Sequence, residues 1–212
     1  MGNDITLMDA PTLSILSNPA IIAINQDPLG MSALRVWQQP ATYFQNASDS
    51  AALYTKGETY FWTGALNGGD YVAAFVNAGS SEMGMSASMN DIFIDKVTTG
   101  SSKPVTLLGQ NWDVYDLWGN RLGEETAKAI IAGNGTMGMG VNGTAISDDP
   151  TRYNATETSY EEGLKMNSTA LLGKKVGVLN AGGTLEAMVP SHGVKAYRLR
   201  SQGPAKRKRD EL

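Results

Sequence analysis

Short segments rich in aromatic and β-branched residues, separated by turn-forming residues, limit the folds open to this chain of 212 residues. The clearest pair is "LYTKGETYFWTG" and "YVAAFVNAG", with Asn67-Gly68-Gly69-Asp70 between them and a further turn expected at Lys56-Gly57-Glu58. The pattern continues in "DIFIDKV", "KPVTLLG", "WDVYDLWG", "KKVGVLNAGGTLEAMVP" and "GVKAYRLR". About seven or eight short strands without long helices between them predict an antiparallel all-β fold, either a β-sandwich or a barrel.

Two short helices are predicted ahead of the strands. Asp9 can cap the first helix, and Ser17 or Asn18 the second, because each stands just before a proline that the first helical turn tolerates. The second helix is expected over residues 20 to about 26, ending before an Asp-Pro step. The strand pattern begins near residue 35, which places a boundary there.

The strand pattern is interrupted between residue 124 and about residue 172 by a stretch rich in glycine and in Asn-x-Ser/Thr sequons. A capping box at Thr158-x-x-Glu161 predicts one short helix inside it, from Ser159 to Met166. The run "GNGTMGMGVNG" has no Gly-Lys-Ser/Thr after it, so a glycosylatable loop explains it better than a phosphate-binding site. We therefore expect a long decorated insertion.

The composition excludes several kinds of site. The chain has no cysteine and one histidine, which rules out a disulfide framework, a cysteine nucleophile and a Cys/His zinc site. We expect no metal and no cofactor. His192 stands where a turn before the last strand is predicted, which fits it better than the role of a general base. A net charge of −4 favours neither nucleic-acid nor membrane binding, and no apolar run approaches membrane-spanning length.

Two groups of residues could act on sugars or bind them. Adjacent carboxyl groups could serve a glycosidase, although such pairs in polar loops are usually just solvated. The pairs are Glu124-Glu125, Asp148-Asp149 and Glu161-Glu162. Aromatic side chains could form a stacking platform, although strand alternation buries about half of them. They are Trp37, Tyr60, Trp62, Trp112, Tyr115 and Trp118. A free-standing secreted carbohydrate-binding module that uses Trp62 or Trp118 stays open as an alternative.

Sequons and the C-terminal residues predict a location in the secretory pathway, either outside the cell or in the ER lumen. Chance predicts about two sequons in this chain. The chain has five, at Asn46, Asn134, Asn142, Asn154 and Asn167. The last four residues, Arg209-Asp210-Glu211-Leu212, differ from the Lys-Asp-Glu-Leu signal at one position, and an ER retrieval receptor is the expected partner. The overlapping basic run at residues 206–209 is equally well explained as a solvated tail, and nuclear import fits badly with the sequons.

The segments "LSNPAIIAINQDPLG", "NGGDYVAAFVNAGSS", "YDLWGNRLG" and "VPSHGVKAYRLR" follow one another along the chain. In order and spacing they resemble the C-terminal part of the family 27 glycoside hydrolases, the α-galactosidases and α-N-acetylgalactosaminidases. "LSNPAIIAINQDPLG" is similar to their junction between a (β/α)₈ barrel and an antiparallel β-sandwich, and "GND" at residues 2–4 to the end of the last barrel strand. "NGGDYVAAFVNAGSS", "YDLWGNRLG" and "VPSHGVKAYRLR" resemble parts of the sandwich, and "YNATETSYEEGLKMNSTALLGKKVG" resembles the fungal members.

The resemblance implies a domain organisation. Residues 1–34 would be a remnant of the last barrel strand and helix, residues 35–200 a Greek-key sandwich with its insertion at about 124–172, and residues 201–212 a basic tail. In the intact enzyme the sandwich is expected to bury the apolar face of the helical remnant and to brace the barrel. That face consists of Leu16, Ile21, Ile22 and Ile24.

The resemblance also implies what these residues lack. The parent activity would be hydrolysis of terminal α-galactosides with retention, but the family's two catalytic aspartates have no counterpart here, so no catalytic residue is assigned. The chain alone is therefore expected to be inactive, and an α-galactoside would be bound only through the barrel. Asp4 alone matches the lip of the galactose pocket. Met1 is interpreted as an internal residue of a longer protein.

Overall fold

The computed structural model describes residues 8–44, 53–94, 105–133 and 159–204. The chain divides into two compact units, one comprising Met1–Gln26 and Leu117–Lys174, the other Asp27–Asp116 and Lys175–Leu212. Helices form the first unit and strands dominate the second. The segment predicted as an insertion thus belongs to the same unit as the N-terminal helices. No helix within the described residues is long and apolar enough to cross a membrane.

The strands of the described residues form two sheets. In chain order they are β1 Leu34–Phe44, β2 Leu53–Ala65, β3 Tyr71–Asn77, β4 Met83–Ser88, β5 Gln110–Asp116, β6 Lys174–Leu179, β7 Thr184–Val189 and β8 Gly193–Pro204. The larger sheet has the order β1-β2-β3-β8-β5-β6, and β4 pairs with β7 in the smaller one. β8, the last of the described strands, pairs antiparallel with both β3 and β5 and therefore lies inside the larger sheet.

Alternating side chains from the two sheets form one hydrophobic core. Phe61, Phe75 and Trp112 of the larger sheet are fully buried in the same cluster as Val189 of the smaller sheet. β7 buries every second residue, as a strand with one inward face must. The two sheets therefore pack face to face, and the predicted all-β sandwich is confirmed.

The turn predicted at Lys56-Gly57-Glu58 is wrong, because β2 continues through these residues. The register with β1 shifts between Pro40 and Thr42, opposite Gly57, whose φ is +86°. A glycine with a positive φ inside a strand is characteristic of a β-bulge as well as of a turn, and here it forms the bulge. The turn at residues 67–70 is confirmed as a short 3₁₀ turn, Asn67–Gly69.

Two predicted strands are helical turns instead. "DIFIDKV" begins within α3 Met89–Ile92, which opens with a capping box between Ser88 and Asp91. "KPVTLLG" contains α4 Val105–Leu108. Short apolar runs do not distinguish a strand from one buried helical turn, and in α3 the cap decides the outcome.

The helical unit contains α1 Ala10–Leu16, α2 Pro19–Asn25, α5 Glu124–Ile131, α6 Tyr160–Lys165 and α7 Thr169–Leu172. Asp9 accepts a hydrogen bond from the Thr12 amide at 2.9 Å, and Asn18 caps α2, so both predicted caps are confirmed. The cap of α6 is Ser159 with Glu162, one residue after the predicted pair.

Helices from the two ends of this unit pack together: α1 contacts α5, and α2 contacts α7. Asn18 also donates to the Leu117 carbonyl at 2.9 Å, and Ser14 donates to the Leu122 carbonyl. These contacts hold the N-terminal helices against the second segment of the unit.

Candidate functional site

A fully buried arginine lies at the centre of an ion network in the sandwich unit. Arg198 of β8 has no exposed surface, and its Nε donates to Oδ2 of Asp70 at 2.8 Å. Its Nη2 lies 4.0 Å from Oδ2 of Asp27, and Nε of Arg200 lies 3.5 Å from Oδ1 of Asp70. Both carboxylates are almost completely buried. A buried guanidinium needs such partners, because an unpaired charge in the interior is strongly destabilising.

The two carboxylates are positioned by turns at either side of the network. Asp27 immediately follows the helical unit, and its Oδ1 accepts the amides of Leu29 at 3.0 Å and Asn67 at 2.9 Å. Asp70 follows the Asn67–Gly69 turn, where its carbonyl accepts the Leu66 amide at 2.8 Å. The network therefore ties the first residues of the sandwich unit to the turn before β3 and to the centre of β8.

The arrangement of this site suits a structural anchor between segments of the sandwich unit. Asp27 and Asp70 both accept hydrogen bonds or ion pairs inside the protein, so neither carboxylate is presented to a substrate as an acid, base or nucleophile would be. Within the described ranges, no three His, Asp or Glu side chains group as a metal site requires. Sequence reasoning missed this network: the only signal was an arginine inside the otherwise apolar strand "AYRL".

Most of the residues predicted as sites lie outside the described residues: Asp4, Asn46, Asn134, Asn142, Asn154, Arg209, Asp210, Glu211 and Leu212. Asn167 is described and is exposed in the turn between α6 and α7, with a φ of +55°. Asparagine adopts this left-handed conformation more readily than most residues. His192 is exposed, with a φ of +51°, in the turn before β8.

The acidic pairs have structural roles where the structure describes them. Glu124 and Glu125 are exposed and lie 2.8 Å and 3.2 Å from Nζ of Lys128 on the same helix. Glu162 caps α6, and the hydrogen bond from Ser159 lowers the pKa of its carboxyl group. Asp148-Asp149 lies outside the described residues.

The tryptophans of the sandwich unit do not form a single platform. Trp112 is fully buried in the core, and Trp37 is half-buried, with its ring stacked on Phe61 at a centroid distance of 5.7 Å. Trp62 follows Phe61 on β2, so it faces the other side of the sheet, where 37% of it is exposed. Trp118 belongs to the helical unit, where it lines a cavity of about 420 Å³ with Ser14 and Arg121.

Tyr60 has a local polar environment on the outer face of β2. Its hydroxyl donates to Glu58, and the Arg35 guanidinium lies 5.8 Å from its ring centroid. The hydrogen bond lowers the pKa of the Glu58 carboxyl group and raises the pKa of Tyr60. Both groups therefore keep their ordinary charge states near neutral pH.

Comparison with known proteins matches the chain to one family. Residues 56–139 match the model of the alpha galactosidase C-terminal beta sandwich domain. Alpha-galactosidases of Saccharomyces paradoxus and Torulaspora delbrueckii are each 40% identical to the chain over 95% of its length. The chain spans only 38% of the length of these two relatives.

Solved structures give the same result. The Saccharomyces cerevisiae alpha-galactosidase with raffinose has a TM-score of 0.72 and 38% identity, covering 95% of this chain and 39% of that chain. Alpha-galactosidase I of Mortierella vinacea, at 19% identity and a TM-score of 0.51, shares the fold over 96% of this chain and 32% of its own.

Proposed function

Because the chain belongs to the α-galactosidases of glycoside hydrolase family 27, as their C-terminal β-sandwich part, we propose that it supports a retaining α-galactosidase barrel without taking part in the chemistry. The observation that carries this proposal is the match of 95% of the chain to 38% of alpha-galactosidases at 40% identity. The catalytic aspartates that the resemblance implies would come from the part of the protein outside this alignment. The substrates would be terminal α-galactosides.

The buried network supports a non-catalytic role. A retaining glycosidase needs a nucleophile and an acid about 5 Å apart, both open to the substrate. Asp27 and Asp70 approach the same guanidinium, yet they are 95% and 96% buried and their oxygens are engaged by Arg198, Arg200 and backbone amides. Their role in the proposal is to hold the first residues of the sandwich unit to the turn before β3 and to β8.

A fusion tests this proposal. This chain would replace the aligned portion of the Saccharomyces cerevisiae alpha-galactosidase, and hydrolysis of p-nitrophenyl α-galactoside would be measured for the fusion and for the chain alone. We expect turnover by the fusion with retention at the anomeric carbon, and none by the chain alone. A folded but inactive fusion, or turnover by the chain alone, would contradict the proposal.

Asp27→Asn in the fusion tests the anchoring role. The change weakens the attraction to Arg198 but keeps an oxygen that accepts the amides of Leu29 and Asn67. We expect faster thermal inactivation with an unchanged KM. Glu125→Gln, at the surface pair with Lys128, is the matched control and should leave the inactivation rate as it is. Equal inactivation rates for the two variants would argue against an anchor.

We also propose that the protein enters the secretory pathway and carries a glycan on Asn167. The exposed position of this side chain supports the proposal. Expression in yeast followed by endoglycosidase digestion should reduce the mass by one more glycan in the wild type than in Thr169→Ala. That variant removes the sequon while Asn120 can still donate to the carbonyl of residue 169, and it leaves the left-handed Asn167 unchanged. Identical digestion of both proteins would refute glycosylation at Asn167.

Retrieval to the ER by the last four residues belongs to the same proposal. Deleting residues 209–212 from the secreted fusion should raise the fraction of protein found outside the cell. Alanine substitution of Lys206 and Arg207 is the control for loss of basic charge and should change little. Secretion that is unaffected by the deletion would exclude retrieval.

A further inference from the structure

A cavity of about 350 Å³ opens at the edge of the sandwich unit. It is lined by Trp37 and Gln39 of β1, Thr59 of β2, Asp91 of α3 and the segment 83–86 of β4. A volume of this size is at the lower end of the range of small-molecule sites, which is about 300–1,000 Å³. The cavity can therefore accommodate a ligand of one or two rings.

One wall of the cavity contains a rigid aromatic ring. The indole of Trp37 is stacked on Phe61 with an angle of 24° between the ring planes, and Phe61 is fully buried in the core. A ring held in this way loses little freedom when a ligand packs against it. The apolar face of a small cyclic ligand is thus a suitable partner for this wall.

The segment of β4 at residues 83–86 forms another part of the lining. Side chains alternate along a strand, so four consecutive lining residues show that β4 contributes its backbone edge to the cavity. Among the described residues β4 pairs with β7 alone. Its other edge therefore offers amide donors and carbonyl acceptors to a ligand.

Asp91 adds a carboxylate oxygen. Its Oδ2 is used in the cap of α3, where it accepts from the Ser88 amide at 2.9 Å and the Ser88 hydroxyl at 2.6 Å. Within the part of the chain that the structure describes, Oδ1 of Asp91 has no hydrogen-bond partner. Gln39, whose side chain is exposed, adds an amide with a donor and an acceptor.

This combination selects for a neutral ligand with many hydroxyl groups. No Lys, Arg or His is among the lining residues, so an anion finds no counter-charge, and one carboxylate is too few for a divalent cation. We propose that the cavity binds a single neutral sugar unit, with its apolar face on Trp37 and its hydroxyl groups on Asp91, Gln39 and the edge of β4. The choice of a galactoside as the probe rests on the proposed function, but the geometry of the cavity does not.

Calorimetric titration of the 212-residue chain with methyl α-galactoside tests the proposal. We expect saturable binding with a dissociation constant in the range of about 1–10 mM. Trp37→Ala should weaken it by about tenfold or more. Trp62→Ala removes an equally large side chain from the other face of the same sheet and should bind like the wild type. Absence of binding by the wild type, or loss of binding in Trp62→Ala alone, would overturn the proposal.

A second experiment tests the proposal even if the Trp37→Ala variant does not fold. Asp91→Asn keeps an oxygen that can cap α3, and its circular dichroism should match that of the wild type. Galacturonate should bind the wild type several-fold more weakly than the neutral galactoside, because its carboxylate meets Asp91, and this difference should vanish in Asp91→Asn. Equal affinity of the wild type for both sugars would contradict the proposal.

The sugar site and the proposed support of the barrel are tested independently of each other. A wild-type chain that binds no sugar while its fusion hydrolyses p-nitrophenyl α-galactoside overturns the sugar site alone. Sugar binding that is sensitive to Trp37, in a chain whose folded fusion is inactive, supports the sugar site and overturns the supporting role.

Discussion

Arg198 lies in the segment Ala196–Leu199, in which every residue is buried. Alternation along β8 would by itself leave the arginine on an outer, solvated face, because its neighbours Tyr197 and Leu199 belong to the core cluster. Asp27 and Asp70 instead approach that face, one from the end of the helices and one from the turn before β3. The sequence identifies these residues as turn and strand residues, but the pairing of Asp70 with a partner 128 positions away depends on the fold.

Replacing Asp70 tests this network directly. Asp70→Ala removes the carboxylate that the buried Arg198 contacts at 2.8 Å, while the Asp27 carboxylate lies at 4.0 Å, so the free energy of unfolding should fall by about 3–5 kcal/mol. Urea unfolding followed by tryptophan fluorescence measures the change. Glu125→Ala removes the carboxylate of a surface pair with Lys128, whose side chains are 89% and 54% exposed, and should cost less than about 1 kcal/mol. Equal losses in the two variants would mean that burial of the pair is unimportant.

Gly57 supports a second prediction at the scale of one residue. A Cβ atom built there would lie 2.3 Å from the Ala78 carbonyl oxygen, and its φ of +86° is strained for any side chain. Gly57→Ala should therefore destabilise the protein by at least about 1–3 kcal/mol in thermal unfolding. Gly177→Ala on β6, where no atom lies within 4 Å of a new Cβ, should have little effect. A neutral Gly57→Ala would show that the bulge does not need a glycine.

The elements that the sequence predicted well are those with a complete local signal. β7 and β8 are bounded by glycine turns and carry alternating apolar residues, and α1 and α2 have a polar cap beside a proline. At "DIFIDKV" the signal was present but was missed, since Ser88 and Asp91 form the capping box of α3. An apolar run such as that in "KPVTLLG" fits one buried helical turn as well as a strand. The division of helices between units also escaped prediction, since α1 and α5 lie more than 100 residues apart and meet only after folding.

The cap of α1 predicts a pH dependence. Hydrogen bonds from Thr12 lower the pKa of the Asp9 carboxyl group below its ordinary value of 3.8. Because the folded-state pKa is the lower one, the cap stabilises the helix above pH 3.8 and loses this contribution as the pH falls through the folded-state value. Protection of the Thr12 amide from hydrogen exchange should therefore decrease in acid. Asp9→Asn keeps an accepting oxygen but cannot titrate, so protection of the Thr12 amide in this variant should not decrease in acid. A decrease of equal size in both proteins would mean that another group causes it.

At the scale of the whole molecule, both units expose apolar side chains beside their buried residues. In the helical unit these include Ile15 on α1 and Ile22 on α2, which are 45% and 37% exposed. Within that unit α2 buries Ala20 and Ala23 rather than its isoleucines. The expectation that the sandwich buries the apolar face of the helical remnant, Leu16, Ile21, Ile22 and Ile24, stays a prediction. In the proposed function, part of this apolar surface would be covered by the barrel that precedes it.

A double substitution of Ile15 and Ile22 should affect the isolated chain and the fusion differently. In the isolated chain, Ile15→Ser with Ile22→Ser removes exposed apolar surface, so self-association measured by analytical ultracentrifugation should decrease while the melting temperature hardly changes. In the fusion with the yeast barrel the two side chains would be covered, so the substitutions should cost about 1–3 kcal/mol and lower the melting temperature. Ile131→Ser on α5, a residue 49% exposed in the same unit, is the control and should be neutral in the fusion. If the double variant is also neutral there, the barrel docks elsewhere, because a covered isoleucine cannot be replaced by serine without losing its transfer free energy.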